Sequence, residues 1–183
     1  MLKFWKNGNR NEIEQPYIKS ENIKERVLKW LREEGYSAEK AQDAHTSFRY
    51  WVTKTGSPKF SVFQPKNNPD FILVESAVTL AGHDEMFPKI TDQTEVLSWE
   101  LQSHLLSRGF HYKIQPPEFQ SNRPGAILFA KPIYHDGLSK DRFLETTNQT
   151  LNTVVFVILT MRRHLVTSGA DPNSKRSSAS CLA

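Results

Sequence analysis

The chain has a single cysteine among its 183 residues, Cys181, which is third from the end. This excludes an internal disulfide framework, and the position misses the four-residue prenylation pattern by one. Long apolar runs are also lacking: none approaches the roughly 20 residues of a membrane-spanning helix, and the first residues do not form the apolar block of a signal peptide. These absences predict a cytoplasmic protein with no membrane span.

Recognised catalytic motifs are absent as well. The sequence has no Gly-rich phosphate loop, no Gly-x-Ser-x-Gly elbow and no cysteine nucleophile within residues 20–165. None of its six histidines pairs with another His, Cys or carboxylate at a spacing known for metal ligands. We therefore expect no catalytic residues, no metal site and no cofactor, and we predict that the protein is not an enzyme.

Two short motifs come closest to chemistry. Residues 83–85 are His-Asp-Glu, but adjacent loop residues rarely chelate one ion, which favours a structural or solvated role. Tyr134, His135 and Asp136 lie at the end of a predicted strand beside the start of a predicted helix, where an anion could be held and a histidine could shuttle protons. His135, Asp136 and Gly137 also have the composition of a tight turn, and we interpret them as one. An enzyme with a site near His135 is our third hypothesis.

The net positive charge is small in the part of the chain that is predicted to fold. The net charge is +2 for residues 1–19, +1 for residues 20–165 and +1 for residues 166–183. Because nucleic-acid sites need concentrated positive charge, the near-neutral middle favours a protein partner. Neither end has a sustained apolar period, so we predict a flexible arm at 1–19, one domain at 20–165 and a disordered tail at 166–183.

The middle of the chain shows alternating helix and strand periods. Helical spacing predicts helices at residues 20–34, 92–108 and 139–165. A period of two predicts strands at residues 47–53, 59–64, 71–80, 110–115 and 125–134, while the polar residues 36–45 are interpreted as a short helical turn at most. The expected fold class is α+β: an antiparallel sheet of about five strands with helices packed on one face, in the order α-βββ-α-ββ-α.

The last helix is the best marked element. Ser139 can cap its first turn, and Leu138 and Phe143 occupy the staple positions. Its predicted core stripe consists of Leu144, Thr147, Leu151, Val154, Val155, Ile158 and Leu165. The apolar run at residues 154–159 extends further round the helix than a surface helix needs, which indicates cover by neighbouring chain or by a partner.

An excess of apolar side chains is the most informative feature. Alternation along the strands sends four of them, with Arg49, to the sheet face opposite the helices. The second helix has apolar residues on two nearly opposite sides, and the last helix carries one opposite its core stripe. Since a monomer rarely leaves such surfaces wet, we predict partner binding by Trp51, Phe63, Phe71, Leu73, Trp99, Leu106 and Phe156.

Each surface has alternatives. We expect the sheet face to receive a protein, but it could instead stack the bases of single-stranded nucleic acid, with Arg49, Lys54 and Lys59 on the phosphates. A loop or the amino-terminal arm could also fold over it. The outer side of the second helix could be a helix-mediated dimer seam, or Met86 and Phe87 of the preceding loop could cover it within one chain.

Four segments carry a resemblance to known proteins: residues 30–35 (Trp-Leu-Arg-Glu-Glu-Gly), 60–63 (Phe-Ser-Val-Phe), 72–74 (Ile-Leu-Val) and 133–143, which enters the last helix. Over residues 20–165 the chain resembles the Tir-chaperone-like fold of type III secretion chaperones. More closely, it resembles a group of uncharacterised, largely archaeal proteins with that architecture. The resemblance implies dimers that bind extended protein segments without catalysis. We therefore predict a homodimeric, non-catalytic protein-binding or chaperone-like module, with single-stranded nucleic-acid binding as the alternative.

Overall fold

The computed structural model describes residues 20–79, 93–115 and 126–167. The predicted arm, most of the predicted tail and the loop with Met86 and Phe87 lie outside these residues. The elements are α1 (Ser20–Glu33), β1 (Ser37–Lys40), β2 (Thr46–Thr53), β3 (Phe60–Pro65), β4 (Phe71–Thr79), α2 (Gln93–Ser107), β5 (His111–Gln115), β6 (Ala126–Tyr134), a 3-10 turn (His135–Gly137) and α3 (Lys140–Thr167). The predicted α+β class and element order are confirmed, with one additional strand.

The described strands form one antiparallel sheet in the order β1-β2-β3-β4-β6-β5. The additional strand is β1, so the interpretation of residues 36–45 as at most a helical turn is wrong. β1 is an edge strand that pairs with β2, from Ser37 opposite Thr53 to Lys40 opposite Tyr50. Only Ala38 of its four side chains is partly buried. A short edge strand therefore forms without the apolar alternation by which strands are recognised.

The last strand enters the sheet between two earlier ones. β6 pairs with β4 over nine residues, from Tyr134 opposite Phe71 to Ala126 opposite Thr79. Its other side pairs with β5, from Ala130 opposite His111 onward. β5 consequently lies at the edge of the sheet although β6 follows it in the chain.

One face of the sheet packs on the helices, as the alternation predicts. The seven strand residues expected to face the helices are all buried: Phe48, Tyr50, Val52, Phe60, Val62, Ile72 and Val74. They share a cluster with Ile23, Val27, Trp30 and Leu31 of α1 and with Phe143 of α3. A second cluster joins Leu97, Leu101 and Leu105 of α2 to α3 and to β6. The core therefore lies between the sheet and a single layer of helices.

The predicted start of α3 is confirmed. The Ser139 Oγ accepts a hydrogen bond from the backbone N–H of Arg142 at 3.2 Å, which satisfies one of the free amides of the first turn. Leu138 and Phe143 are both buried in the first cluster, and the Phe143 ring lies 5.7 Å from that of Trp30. These contacts fix α3 against α1.

The buried stripe of α3 differs from the predicted one. Val155 was assigned to the core but is about half exposed. Thr147 and Val154 are buried as predicted, and the further buried positions include Thr146, Thr150, Thr153, Val157 and Met161. The hydroxyls of three of these threonines bond carbonyls one turn back, for example Thr150 Oγ1 to the Thr146 oxygen at 2.9 Å. Because the hydroxyls are satisfied within the helix, a polar residue type can occupy the core side.

Glycines end the first two helices as predicted. Gly35 and Gly109 have φ angles of +76° and +72°, a conformation that side chains other than glycine rarely adopt. Among the described residues, no helix combines the length and apolar character needed to cross a bilayer.

Candidate protein-binding surfaces

Among the described residues, two surfaces carry the large apolar side chains that remain accessible. We call the sheet face turned away from the helices the outer face; its side chains include Glu39, Arg49, Trp51, Ser61, Phe63, Phe71, Leu73, Glu75, Pro132 and Tyr134. We call the solvent side of α2 and α3 the helix surface; it includes Val96, Trp99, Leu106, Val155 and Leu159. The two surfaces lie on opposite sides of the domain, since the sheet separates them.

Trp51 is the most accessible of the four apolar residues predicted for the outer face. Half of its surface is exposed, and it lies opposite Ser61 of β3 and Glu39 of β1. Phe63 and Leu73 lie opposite each other in the next pair of strands, and both are partly buried. The structure therefore brings Trp51, Phe63 and Leu73 together across three adjacent strands.

An aromatic pair, of which only Phe71 was predicted as a binding residue, extends this face. Phe71 packs edge to face on Tyr134, with ring centroids 5.6 Å apart, and Tyr134 is more than half exposed. Tyr134 was predicted as the last residue of its strand but was not among the predicted binding residues, although alternation from the buried Ile133 sends it to the outer face.

Arg49 lies at the centre of a charge network on the outer face. Its guanidinium pairs with Asp43 at 3.0 Å and with Glu75, and Glu75 also accepts a hydrogen bond from the Ser61 hydroxyl at 3.1 Å. The backbone N–H of His45 and the Arg49 guanidinium hold the pKa of Asp43 below its ordinary value. Two carboxylates on one cation leave this network negative.

The same guanidinium stacks on two aromatic rings. Its central carbon lies 5.0 Å from the Trp51 ring centroid and 4.5 Å from that of Phe63. Cation–π contacts of this kind add to the ion pairs and hold both rings in place. The Arg49 guanidinium thus holds Trp51 and Phe63 in position, and the two rings form a fixed aromatic surface.

Two of the three cations that nucleic-acid binding would require are engaged within the chain. Arg49 is neutralised by carboxylates, as described above. The Lys54 ammonium donates to the Glu34 carbonyl at 2.8 Å and lies 4.9 Å from the Tyr36 ring centroid. The outer face therefore offers phosphate groups less positive charge than the sequence suggested.

The helix surface exposes the two α2 residues predicted from the sequence. Trp99 is 72% exposed and Leu106 is 61% exposed, and Val96 extends the same stripe by one turn. On α3, Val155 and Leu159 are also exposed. Arg163 donates to Glu100 at 2.5 Å, so α2 and α3 lie side by side and their apolar stripes belong to one helix surface.

Phe156 does not lie on the free part of this surface. Its ring is stacked on His104 of α2, with centroids 3.5 Å apart and planes 9° from parallel. It therefore joins α2 to α3 instead of projecting outward. Its neighbours Val155 and Leu159 are the exposed apolar residues, and the apolar run at 154–159 was the signal for them.

His104 occupies the predicted edge of the core, but it is not satisfied there. Its Nε2 atom is buried and has no hydrogen-bond partner in the structure. Burial, with a smaller contribution from Arg108, lowers its pKa below the ordinary value, while Glu100 acts in the opposite direction. The neutral ring is therefore favoured, which suits its stacking on Phe156.

The motif at His135 is a turn, as interpreted from the sequence. His135 begins the 3-10 turn, and its backbone N–H donates to the Asp70 carbonyl at 3.0 Å. Its ring Nε2 lies 3.2 Å from the amide nitrogen of the buried Gln64, which also donates to the Pro69 carbonyl at 2.8 Å. Burial lowers the pKa of His135, which favours the neutral ring as acceptor. These contacts fasten the end of the sheet to the turn.

The described residues contain no group of three or more His, Cys, Asp or Glu side chains placed to hold a metal ion. The motif at residues 83–85 lies outside the described ranges. The predicted lack of metal and cofactor stays a prediction.

Residues 23–161 match the model of a family described as "Uncharacterized conserved protein (DUF2299)". The chain belongs to this family. No curated protein matches it.

Two solved structures share the arrangement of elements to different degrees. An uncharacterised protein from Methanothermobacter thermautotrophicus is 23% identical, with a TM-score of 0.67, over 77% of this chain and 98% of that one. YbjN from E. coli, described as a putative transcription regulator, is 12% identical, with a TM-score of 0.48, over 76% of this chain and 91% of that one. At that TM-score, the likeness to YbjN is too remote to inform function.

The family match and the archaeal structure confirm the predicted resemblance to uncharacterised archaeal proteins, at the level of the fold. Neither structure is described as a secretion chaperone, and that part of the resemblance stays a prediction. The match to the family covers nearly all of the described residues, including both candidate surfaces.

Proposed function

We propose that this DUF2299 protein is a non-catalytic protein-binding module that holds a partner on its outer face and forms a homodimer through its helix surface. The observation that supports the proposal is the exposure of two tryptophans, Trp51 and Trp99, on opposite sides of the domain. Tryptophan is the residue type most enriched among energetically important interface residues. Each tryptophan has apolar neighbours, so each surface could bury a continuous patch.

The outer face suits a partner segment better than a second globular copy. Trp51 and Phe63 are held rigidly by Arg49, so little conformational entropy is lost when a partner covers them. The carboxylates of Asp43 and Glu75 border the aromatic rings and could orient polar groups of the partner. Aromatic anchors with adjacent polar groups are typical of sites that recognise protein segments.

The helix surface suits self-association. Its α2 stripe, Val96, Trp99, Ser103 and Leu106, contains no charged residue. In a two-fold dimer the same patch meets itself, so like charges would repel and a neutral apolar stripe avoids this cost. The dimer is part of the proposal, as is the cytoplasmic location predicted from the sequence.

The dimer can be tested with Trp99→Glu. We expect the unmodified protein to have twice the mass of one chain by light scattering, and the variant to have the mass of one chain, because the substitution places two carboxylates at an apolar seam. Trp51→Glu is the matched control, since it makes the same chemical change on the outer face and should leave the mass unchanged. A monomeric unmodified protein, or a variant that stays dimeric, would remove the helix surface from the proposal.

Partner binding can be tested with the same two variants, but here Trp51→Glu is the test and Trp99→Glu is the control. Tagged protein is used to retain proteins from an extract of the native cell, and the retained proteins are identified by mass spectrometry. We expect a specific partner to be lost with Trp51→Glu by at least about tenfold, since a central interface tryptophan contributes about 2 kcal/mol or more. Trp99→Glu should retain it. Equal retention by all three proteins would contradict the assignment of the outer face.

A further inference from the structure

The outer face is bordered by more carboxylates than cations near Trp51. Arg49 pairs with Asp43 and Glu75, and Glu39 of β1 lies directly opposite Trp51. Side chains opposite each other on one face of a sheet are about 5 Å apart at their Cβ atoms, so Glu39 borders the indole ring. Lys59, which precedes β3, is an exposed cation at this end of the sheet, whereas the nearby Lys54 is turned toward the end of α1, where it donates to the Glu34 carbonyl. The surroundings of Trp51 are therefore aromatic and carry a net negative charge.

The first ten residues of the chain have the opposite charge and the same kind of side chain. They contain Lys3, Lys6 and Arg10 and no carboxylate, and Phe4 and Trp5 lie between the two lysines. Such a segment can place aromatic rings against Trp51 and Phe63 while its cations meet carboxylates. The net charge of these ten residues is +3, against +4 for the whole chain.

The length of the chain before α1 is sufficient for contact. The nineteen residues that precede Ser20 span up to about 60 Å when extended. α1 packs beside β1 and β2, and its fourteen residues measure about 21 Å. A path from Ser20 to Trp51 runs along α1, crosses about 10 Å from the helix layer to the sheet, and passes round the β1 edge at about 5 Å per strand. The segment can therefore reach Trp51 with residues to spare.

We propose that residues 1–10 dock on the outer face of their own chain and compete there with the protein partner. This inference rests on the proposed function, because it assigns regulation to that same face. An attached segment competes at an effective concentration in the millimolar range, so weak contacts are enough to occupy the face. A partner would displace the segment by binding more tightly, and modification of Lys3 or Lys6 would release it.

The docking can be tested in the full-length chain by cysteine cross-linking. Cys181→Ser removes the natural thiol; Asn7→Cys marks the segment, and Thr53→Cys marks the outer face two residues from Trp51. The control pairs Asn7→Cys with Asn68→Cys, an exposed position in the turn between β3 and β4 that belongs to neither surface. We expect a disulfide within one chain to form at Thr53→Cys about tenfold faster than at Asn68→Cys. Adding Lys3→Glu and Lys6→Glu should abolish this preference, and high salt should reduce it.

Equal rates at the two positions would overturn the docking, and so would a preference that survives charge reversal. A disulfide between two chains would identify a second copy as the occupant and would also overturn the proposal.

The competition is tested separately by partner retention. The Lys3→Glu/Lys6→Glu chain should retain at least about threefold more partner than the unmodified chain, because its face is no longer occupied. Equal retention would overturn the regulatory role. Failure of the cross-linking leaves the effect of Trp51→Glu on partner retention intact, so the proposed function and this inference fail by different observations.

Discussion

Phe143→Ala is expected to lower the free energy of unfolding by about 3–5 kcal/mol, the largest effect among the substitutions considered. Phe143 has no exposed surface, and it packs on Trp30 of α1. Its cluster also includes Leu138 and the buried residues of β2, β3 and β4. Its removal leaves a cavity where α1, α3 and the sheet meet. Since domains of this size are stable by about 5–15 kcal/mol, urea unfolding should show a much lower midpoint.

Phe71→Ala is the matched control for this prediction, because it removes the same side chain from the partly buried outer face. Its expected loss is about 1 kcal/mol, from reduced burial and the lost contact with Tyr134. Phe143→Leu should fall between the two and remains measurable if the alanine variant does not fold. Equal losses for Phe143→Ala and Phe71→Ala would contradict the described core.

Arg49→Met is expected to lower the free energy of unfolding by about 2–3 kcal/mol at neutral pH. The substitution keeps an apolar stem beside Trp51 and Phe63 but removes the positive charge between Asp43 and Glu75. The Glu75 carboxylate, which is mostly buried, then loses its ionic partner. Arg49→Lys should recover only part of the loss, because an ammonium cannot bond both carboxylates with the planar geometry of a guanidinium.

The effect of Arg49→Met should depend on pH. The pKa of Asp43 is lower in the folded protein than in the unfolded chain, so its contribution is present above the unfolded pKa and is lost as the pH falls through the folded pKa. The difference between the two proteins should therefore be largest near pH 7 and should shrink below about pH 4, where carboxylates become neutral. A difference that does not change with pH would indicate that lost packing, not lost charge pairing, destabilises the variant.

The sequence was sufficient to predict features with a local cause. The alternation of Phe48, Tyr50 and Val52 against Trp51 identified both faces of the sheet, because neighbouring side chains on a strand must point in opposite directions. The cap at Ser139 and the glycine at Gly109 marked helix ends for equally local reasons.

Features that depend on distant parts of the chain were missed. β1 is held by pairing with β2 and has almost no apolar signal of its own. The carboxylate of Glu75 is 26 residues from Arg49, and only the sheet register brings the two together. Val155 was assigned to the core from helical spacing while Thr150 and Thr153 were left out, although the hydroxyls of both threonines are satisfied within the helix and both residues are buried.

The position of β6 has a consequence for synthesis of the protein on the ribosome. When β5 has emerged, its neighbour in the sheet has not yet been made, and β4 presents a free edge of nine residues. The edges of β4 and β5 that later pair with β6 stay unpaired until Tyr134 has left the exit tunnel, which takes a few seconds at about 5–20 residues per second. During that interval the nascent chain exposes β-strand edges that can pair with other chains, so this is the stage at which a molecular chaperone would benefit the protein most.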